Sequence, residues 1–232
     1  CKQILAIQNR YCDREMVSRY GYVSTLFLPV AIMTSDDTHD RIEEFLMPHD
    51  YFGLDSQQVT LLKQEKVAAL IDEEAHIALV NKSDEEVKYV IDTKLHGHGD
   101  IHALMYSSQT AYKWQRELNT EWIVFMQDTH GLGMLSLPTM LANSVEMELV
   151  VNSAAVSRVA KQDIEAITCL KNEDTGKQLT VSVEYNQLGQ LVTNAQNPEG
   201  DTNDPATGYS KFPGNVNQLV IGMKSYLDTL YN

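Results

Sequence analysis

The densest run of reactive side chains is His96-Gly97-His98-Gly99-Asp100-Ile101-His102. By type, three imidazoles and a carboxylate are good zinc ligands. The spacing is less favourable, because Ile101 separates Asp100 from His102 where the hydrolase motif of similar look sets acid and histidine side by side. A second reading uses the two glycines, which let the backbone approach a base or phosphate, with the N–H groups of a following helix N-terminus nearby. A third is a purely structural glycine turn.

Other candidates stand at the ends of apolar stretches. Gln64 follows a buried strand, and its amide offers a donor and an acceptor to the edge of a uracil. Asp128 ends another apolar strand, where a hard carboxylate oxygen suits Mg²⁺ but equally suits a helix cap. Glu184, in Val183-Glu184-Tyr185-Asn186-Gln187-Leu188, falls where strand alternation breaks into a loop. It could accept from sugar hydroxyls or simply be solvated. Asn215 and Asn217 flank Val216 ahead of a helical pattern and could face a sugar or cap that helix.

The elements that must position these residues alternate between strands and helices. Residues 4–20 carry a loose helical stripe. Residues 26–33 and 59–62 are short apolar runs of the kind buried on both faces of a sheet. Between them the polar stretch 34–38 can cap a helix over residues 39–46. Residues 72–88 are rich in acids, with weak strands near 77–79 and 89–91. A helix is expected from His96 to Leu118, a third buried strand over 122–126, a helix over 135–143 and a strand over 148–151. Glu173-Asp174-Thr175-Gly176-Lys177 is a turn signal that makes 168–184 a hairpin. Residues 194–210 form a polar loop and 218–231 a last helix. This alternation predicts an α/β domain with a mixed, mostly parallel sheet flanked by helices and a β-hairpin insertion. In such sheets ligands bind beyond the carboxyl ends of the strands, which here read Ser35-Asp36-Asp37, Gln64-Glu65-Lys66 and Gln127-Asp128, or are ordinary solvated loop starts.

The formal net charge of −14 over 232 residues supplies no basic stripe for a nucleic-acid backbone. Cys1, Cys12 and Cys169 are scattered, which reads as free thiols of a reducing, cytoplasmic compartment. No apolar run reaches the roughly 20 residues of a membrane span. The opening at Cys1, already in an amphipathic pattern with no signal peptide, and the end at Asn232 after another helical pattern lead us to expect a piece of something longer.

Eight stretches in order resemble UDP-sugar pyrophosphorylases, the broad-specificity relatives of the UDP-glucose and UDP-N-acetylglucosamine pyrophosphorylases. They include Ile32-Met33-Thr34-Ser35-Asp36-Asp37-Thr38-His39, Tyr51-Phe52-Gly53, Leu62-Lys63-Gln64-Glu65-Lys66-Val67-Ala68, His96-Gly97-His98-Gly99-Asp100 and Phe125-Met126-Gln127-Asp128-Thr129. The later ones are Val151-Asn152-Ser153, Val183-Glu184-Tyr185-Asn186-Gln187-Leu188 and Phe212-Pro213-Gly214-Asn215-Val216-Asn217-Gln218-Leu219. The resemblance implies a Rossmann-like, GT-A-type nucleotidyltransferase domain over residues 1–232, making UDP-sugar and pyrophosphate reversibly from UTP and a sugar 1-phosphate with Mg²⁺. It implies uridine binding by Gln64, the Gly97 backbone and His98. It also implies phosphate and metal binding by Asp128, and sugar binding by Glu184, Asn215 and Asn217, all in one cleft. The Gly-rich loop with basic residues that opens the family's catalytic domain is missing, and a family lysine is expected beyond the last helix. The chain alone is therefore expected to be catalytically incomplete. Family members commonly carry Asn where His130 stands, so the role of that position is open. The alternatives are a non-catalytic nucleotide-sugar binding module of the same fold and a hydrolase using His96, His98, Asp100 and His102.

Overall fold

A computed structural model describes residues 1–11, 27–80, 90–193 and 198–232. They form two compact units, Cys1–Thr120 with Tyr226–Asn232, and Glu121–Ser225. The expected extension of the first helix over residues 12–20, Cys12, residues 81–89 and the start of the polar loop at 194–197 lie outside the described residues.

In the first unit, β1 (Val30–Thr34) pairs in parallel with β2 (Val59–Lys63), Val30 opposite Val59 and Thr34 opposite Lys63. A parallel pair needs a long crossover, and α2 (His39–Leu46) with two 3₁₀ turns supplies it. The expected cap is different in detail. Thr38 occupies the N-cap position of α2 without capping it; its hydroxyl instead accepts from the Ser35 N–H at 3.0 Å. The first helix, α1 (Lys2–Tyr11), is anchored through buried Gln8, whose Oε1 accepts from the Leu28 N–H and from Gln58 Nε2 at 2.9 and 3.0 Å.

Next, β3 (Lys66–Ala68) pairs antiparallel with β4 (Thr93–Leu95), and the weak strands expected near 77–79 and 89–91 appear among the described residues only as isolated bridges, Leu70 with Ile77 and Leu79 with Ile91. The long helix expected to follow is two: α3 (Asp100–Ser107) and α4 (Thr110–Leu118). Ser108 breaks it by donating its hydroxyl to the Leu104 carbonyl at 2.6 Å, the local competition with the backbone that serine offers. Gln109 then adopts a left-handed φ of 59°.

The second unit is a five-stranded antiparallel sheet built on β9 (Gly214–Gly222). β6 (Val151–Val156) pairs along one edge of β9, while β5 (Trp122–Phe125) and β7 (Ala166–Lys171) share the other. The hairpin is as expected, β7 pairing with β8 (Gln178–Val183). α5 (Gly133–Glu146) fills the place read as 135–143.

Four expectations are overturned here. The strand read at 148–151 starts only at Val151, because Glu148 takes a left-handed φ of 52°. The helix read from residue 218 begins at α7 (Met223–Leu230); before it, Leu219-Val220-Ile221 are strand, where branched side chains pack well. The loop read after Glu184 is a helix, α6 (Tyr185–Val192), which buries Leu188 and Val192 against Ala166 and Val183. Finally, β1 with β2 is the single parallel pairing between strands among the described residues, so these strands do not build a mostly parallel sheet. Only the β7–β8 connection is too short for the crossover a parallel pair would need; the other antiparallel pairs join strands distant along the chain.

Candidate functional site

In the first unit, Gln64 leaves β2 as a buried residue, 4% exposed. Its N–H donates to the Thr34 carbonyl at 2.7 Å, across the parallel pair. Its Nε2 donates to the Gly97 carbonyl at 2.8 Å and to Asp100 Oδ2 at 2.9 Å. The donor end of the amide is thus spent inside the protein, and Oε1 is what Gln64 can offer a ligand. Gly97 has a φ of 138°, a conformation closed to other residues, so the turn requires glycine for its backbone rather than for space.

Asp100 heads α3 and takes a second bond, from His96 Nδ1 at 2.6 Å. The hydrogen bond from Gln64 and then that from His96 hold its carboxyl below the usual carboxylate range. His98 is exposed. His102 lies on α3 with Nδ1 3.0 Å from the Tyr226 hydroxyl. Burial, then the charge of His98, lowers its pKa, and burial pushes the Tyr226 phenol up to about 12. These side chains do not gather as metal ligands. Among the described residues only the exposed Asp72, Glu74 and His76 bring three ligand atoms together.

At the carboxyl ends of β1 and β2, Asp36 meets Lys63 at 2.7 Å and Asp37 meets Lys66 at 3.2 Å. Exposed pairs of this kind contribute little to stability, which is the ordinary reading of those strand ends.

The second unit holds a cleft of about 390 Å³, within the range of small-molecule sites. Gln127, Thr129 and His130 line it from the loop after β5, and Asp163, Ile164 and Glu165 from the approach to β7. Glu184 and Tyr185 stand at the β8–α6 junction, and Asn215, Val216 and Asn217 on β9 complete it. Glu184 is the N-cap residue of α6 yet makes no side-chain cap bond, leaving its carboxylate to the cleft. Asp128 is exposed in the turn between two lining residues.

β9 bulges at this point: the register passes from Ser153–Leu219 to Ala155–Asn215, and Asn217 adopts a left-handed φ of 53°. Asparagine tolerates that region better than most residues. Asn215 and Asn217 are therefore strand residues, not caps. The Asn215 amide is heavily committed: Nδ2 lies 3.0 Å from Glu165 Oε2, 3.0 Å from Ser182 Oγ and 2.9 Å from Asn217 Oδ1. Its Oδ1 accepts from the Asn217 N–H at 3.0 Å and from Ser153 Oγ at 3.3 Å.

Sequence reasoning passed over Asp163 and Glu165, which lie in no recognisable motif, and gave Tyr185 no role although it stands in the motif that carries Glu184. It also missed Arg158, fully buried and paired with Asp201. Burial raises the Asp201 pKa, but the Ser210 hydroxyl, the Lys161 N–H and Arg158 outweigh it and hold the carboxyl below its ordinary value. The same guanidinium donates to the Phe212 carbonyl at 3.2 Å, just ahead of β9. An arginine deep in an acidic chain was the available signal.

No protein-family model matches the chain. The fold is shared with the nucleotide-sugar pyrophosphorylases. The UDP-N-acetylglucosamine pyrophosphorylase of Trypanosoma brucei matches with a TM-score of 0.63 at 16% identity, covering 98% of this chain and 42% of that one. The UDP-glucose pyrophosphorylase of Leishmania major, solved with UDP-glucose, matches with a TM-score of 0.58 at 19% identity, covering 98% and 44%. In sequence the chain is homologous to UDP-sugar pyrophosphorylases: 47% identical over 203 residues to that of Arabidopsis thaliana, covering 88% of this chain and 32% of that protein. It is 43% identical over 229 residues to that of Oryza sativa subsp. japonica, covering 99% and 35%. The chain thus spans about a third of the length of the curated relatives it matches.

Proposed function

We propose that the chain is part of the catalytic domain of a uridylyltransferase that makes UDP-sugar and pyrophosphate, reversibly, from UTP and a sugar 1-phosphate. The observation that carries this is the 43–47% identity to UDP-sugar pyrophosphorylases along 88% or more of the chain. The geometry is in keeping with it. In the first unit, Gln64 Oε1 would accept from the uracil N–H while the Gly97 backbone and His98 flank the base. In the second, Glu184 and Asn217 would take sugar hydroxyls, with Asn215 bracing both Asn217 and Glu165. Asp163, Glu165 and Glu184 line that cleft, and among the described residues no Lys or Arg does. Such a wall repels phosphate and suits the neutral, hydroxyl-rich end of a nucleotide sugar.

The GT-A-type, Rossmann-like reading is supported by the β1–α2–β2 crossover. Asp128, exposed and in no salt bridge among the described residues, fits Mg²⁺, which commonly takes one or two protein carboxylates and completes its shell with substrate phosphates and water. A metal bound there would neutralise phosphate charge. Oriented binding and charge neutralisation are what in-line transfer to the α-phosphorus needs from a protein. The free Cys1 and Cys169 favour a cytoplasmic setting; no described helix is long and apolar enough to cross a membrane.

The test is calorimetric titration of the chain with UDP-glucose, UDP-galactose and UDP-N-acetylglucosamine, alongside the forward reaction from UTP and glucose 1-phosphate. Binding of UDP-sugars with little turnover is expected. Failure to bind any of the three would remove the assignment.

A further inference from the structure

Among the described residues Arg158 is the largest fully buried side chain, and its Nε has no hydrogen-bond partner there. A buried ion pair is weak grounds for stability, since apolar side chains of similar volume commonly do as well or better. What such a pair adds is direction, and here its bonds run to two stretches of chain. Arg158 Nη2 pairs with Asp201 Oδ2, while Nη1 donates to Ser210 Oγ at 3.3 Å and to the Phe212 carbonyl at 3.2 Å. Asp201 Oδ2 also accepts from the Lys161 N–H at 2.9 Å, and Oδ1 from the Ser210 hydroxyl at 2.6 Å. Ser210 in turn accepts the Phe212 N–H on Oγ at 3.1 Å and donates its own N–H to the Arg158 carbonyl at 2.8 Å.

Both stretches run straight on into the cleft. Residues 158–161 lead to Asp163, Ile164 and Glu165, and residues 210–212 lead to Asn215, Val216 and Asn217, all of which line it. The two walls meet closely: the Asn215 N–H donates to the Glu165 carbonyl at 2.8 Å, and a Cβ on residue 214 would stand 2.9 Å from Ile164 Cγ2. In this register Asn215 Nδ2 reaches both Glu165 Oε2, at 3.0 Å, and Asn217 Oδ1, at 2.9 Å. We infer that Arg158 and Asp201, linked through Ser210, are positioning residues for the cleft, locking the Glu165 wall against the Asn217 wall so that both meet a sugar in one geometry. Apolar side chains fill the same volume without fixing a register, because their attraction has no direction. The planar guanidinium fork imposes one. The sugar as ligand rests on the function proposed above; the locked walls do not.

Arg158→Met with Asp201→Leu removes the lock at similar volume. The folded double variant should bind UDP-glucose about tenfold more weakly than the wild type, the worth of one hydrogen bond, and bind UDP as before. A pair that only stabilises the fold predicts otherwise, since affinity would then return with stability once both charges are replaced. Unchanged UDP-glucose affinity, or an equal loss for UDP, overturns the inference. If the double variant does not fold, Ser210→Ala decides, because it leaves both charges in place. It should lower UDP-glucose affinity, and Ser210→Thr, which keeps the hydroxyl, should restore it; no loss with alanine, or no recovery with threonine, overturns the inference. Without ligand, the side-chain amide signals of Asn215 and Asn217 report on the walls in a proton–nitrogen correlation spectrum. They should shift in Ser210→Ala and return in Ser210→Thr, and unmoved signals overturn the lock. A wild-type chain that binds no UDP-glucose counts against the proposed function, while these ligand-free spectra still decide the lock.

Discussion

Asn215 and Asn217 hold each other across the bulge in β9, the first donating Nδ2 to Asn217 Oδ1 at 2.9 Å and accepting the Asn217 N–H on Oδ1 at 3.0 Å. The left-handed backbone at Asn217 makes this exchange possible. Asn217→Gly should keep that conformation and change stability by under about 1 kcal/mol, while Asn217→Ala should cost about 1–2 kcal/mol. Both should weaken UDP-glucose binding. Denaturant unfolding with parallel titration checks this, and equal destabilisation by the two variants would place the cost in the side chain instead of the backbone.

Gln64 and His96 hold the Asp100 carboxyl in its ionised form. Because that pKa is depressed on folding, the stabilisation is complete above the unfolded value near ~3.9 and is lost as the pH falls through the lower folded value. In Gln64→Met the Asp100 titration, followed by carboxyl carbon shifts, should move upward. UTP and UDP-sugar affinity should fall together, through loss of Oε1.

His102 has the opposite proton chemistry with the same direction in pH. Its folded pKa is lowered by burial and by His98, so the neutral ring is the stable folded form. Stability from this site is complete above the unfolded value near ~6.5 and declines as the pH drops from there toward the folded value. Unfolding measured across this window should show that decline, and His102→Phe should abolish it.

Arg158 and Asp201 form a pair with side chains 0% and 3% exposed. Arg158→Ala should cost about 3–5 kcal/mol, since it strands a buried carboxylate. Replacing both, as Arg158→Met with Asp201→Leu, should recover much of that loss. Urea unfolding distinguishes the two cases, and a double variant no better than the single would deny the stranded charge its role.

Local patterns carried a good part of this protein. Glu173-Asp174-Thr175-Gly176-Lys177 announced the β7–β8 hairpin, the span His39–Leu46 its helix, and the run of eight motifs the relationship to UDP-sugar pyrophosphorylases. Those features are set by neighbours in sequence: turn chemistry, helical spacing and residue type. The residues from Asn215 to Ile221 could not be read that way, because a run mixing Asn, Gln and branched apolar residues suits helix and strand alike. Three distant strands, β5, β6 and β7, supply the hydrogen bonds that make it β9. The same pairing forces the bulge at Asn217 and brings Glu165, Glu184 and Asn215 to one cleft from far-apart stretches of chain. It also buries Gln218 against Gly133. Backbone donors and acceptors removed from water must find partners wherever the chain brings them, and only the folded sheet decides which ones those are.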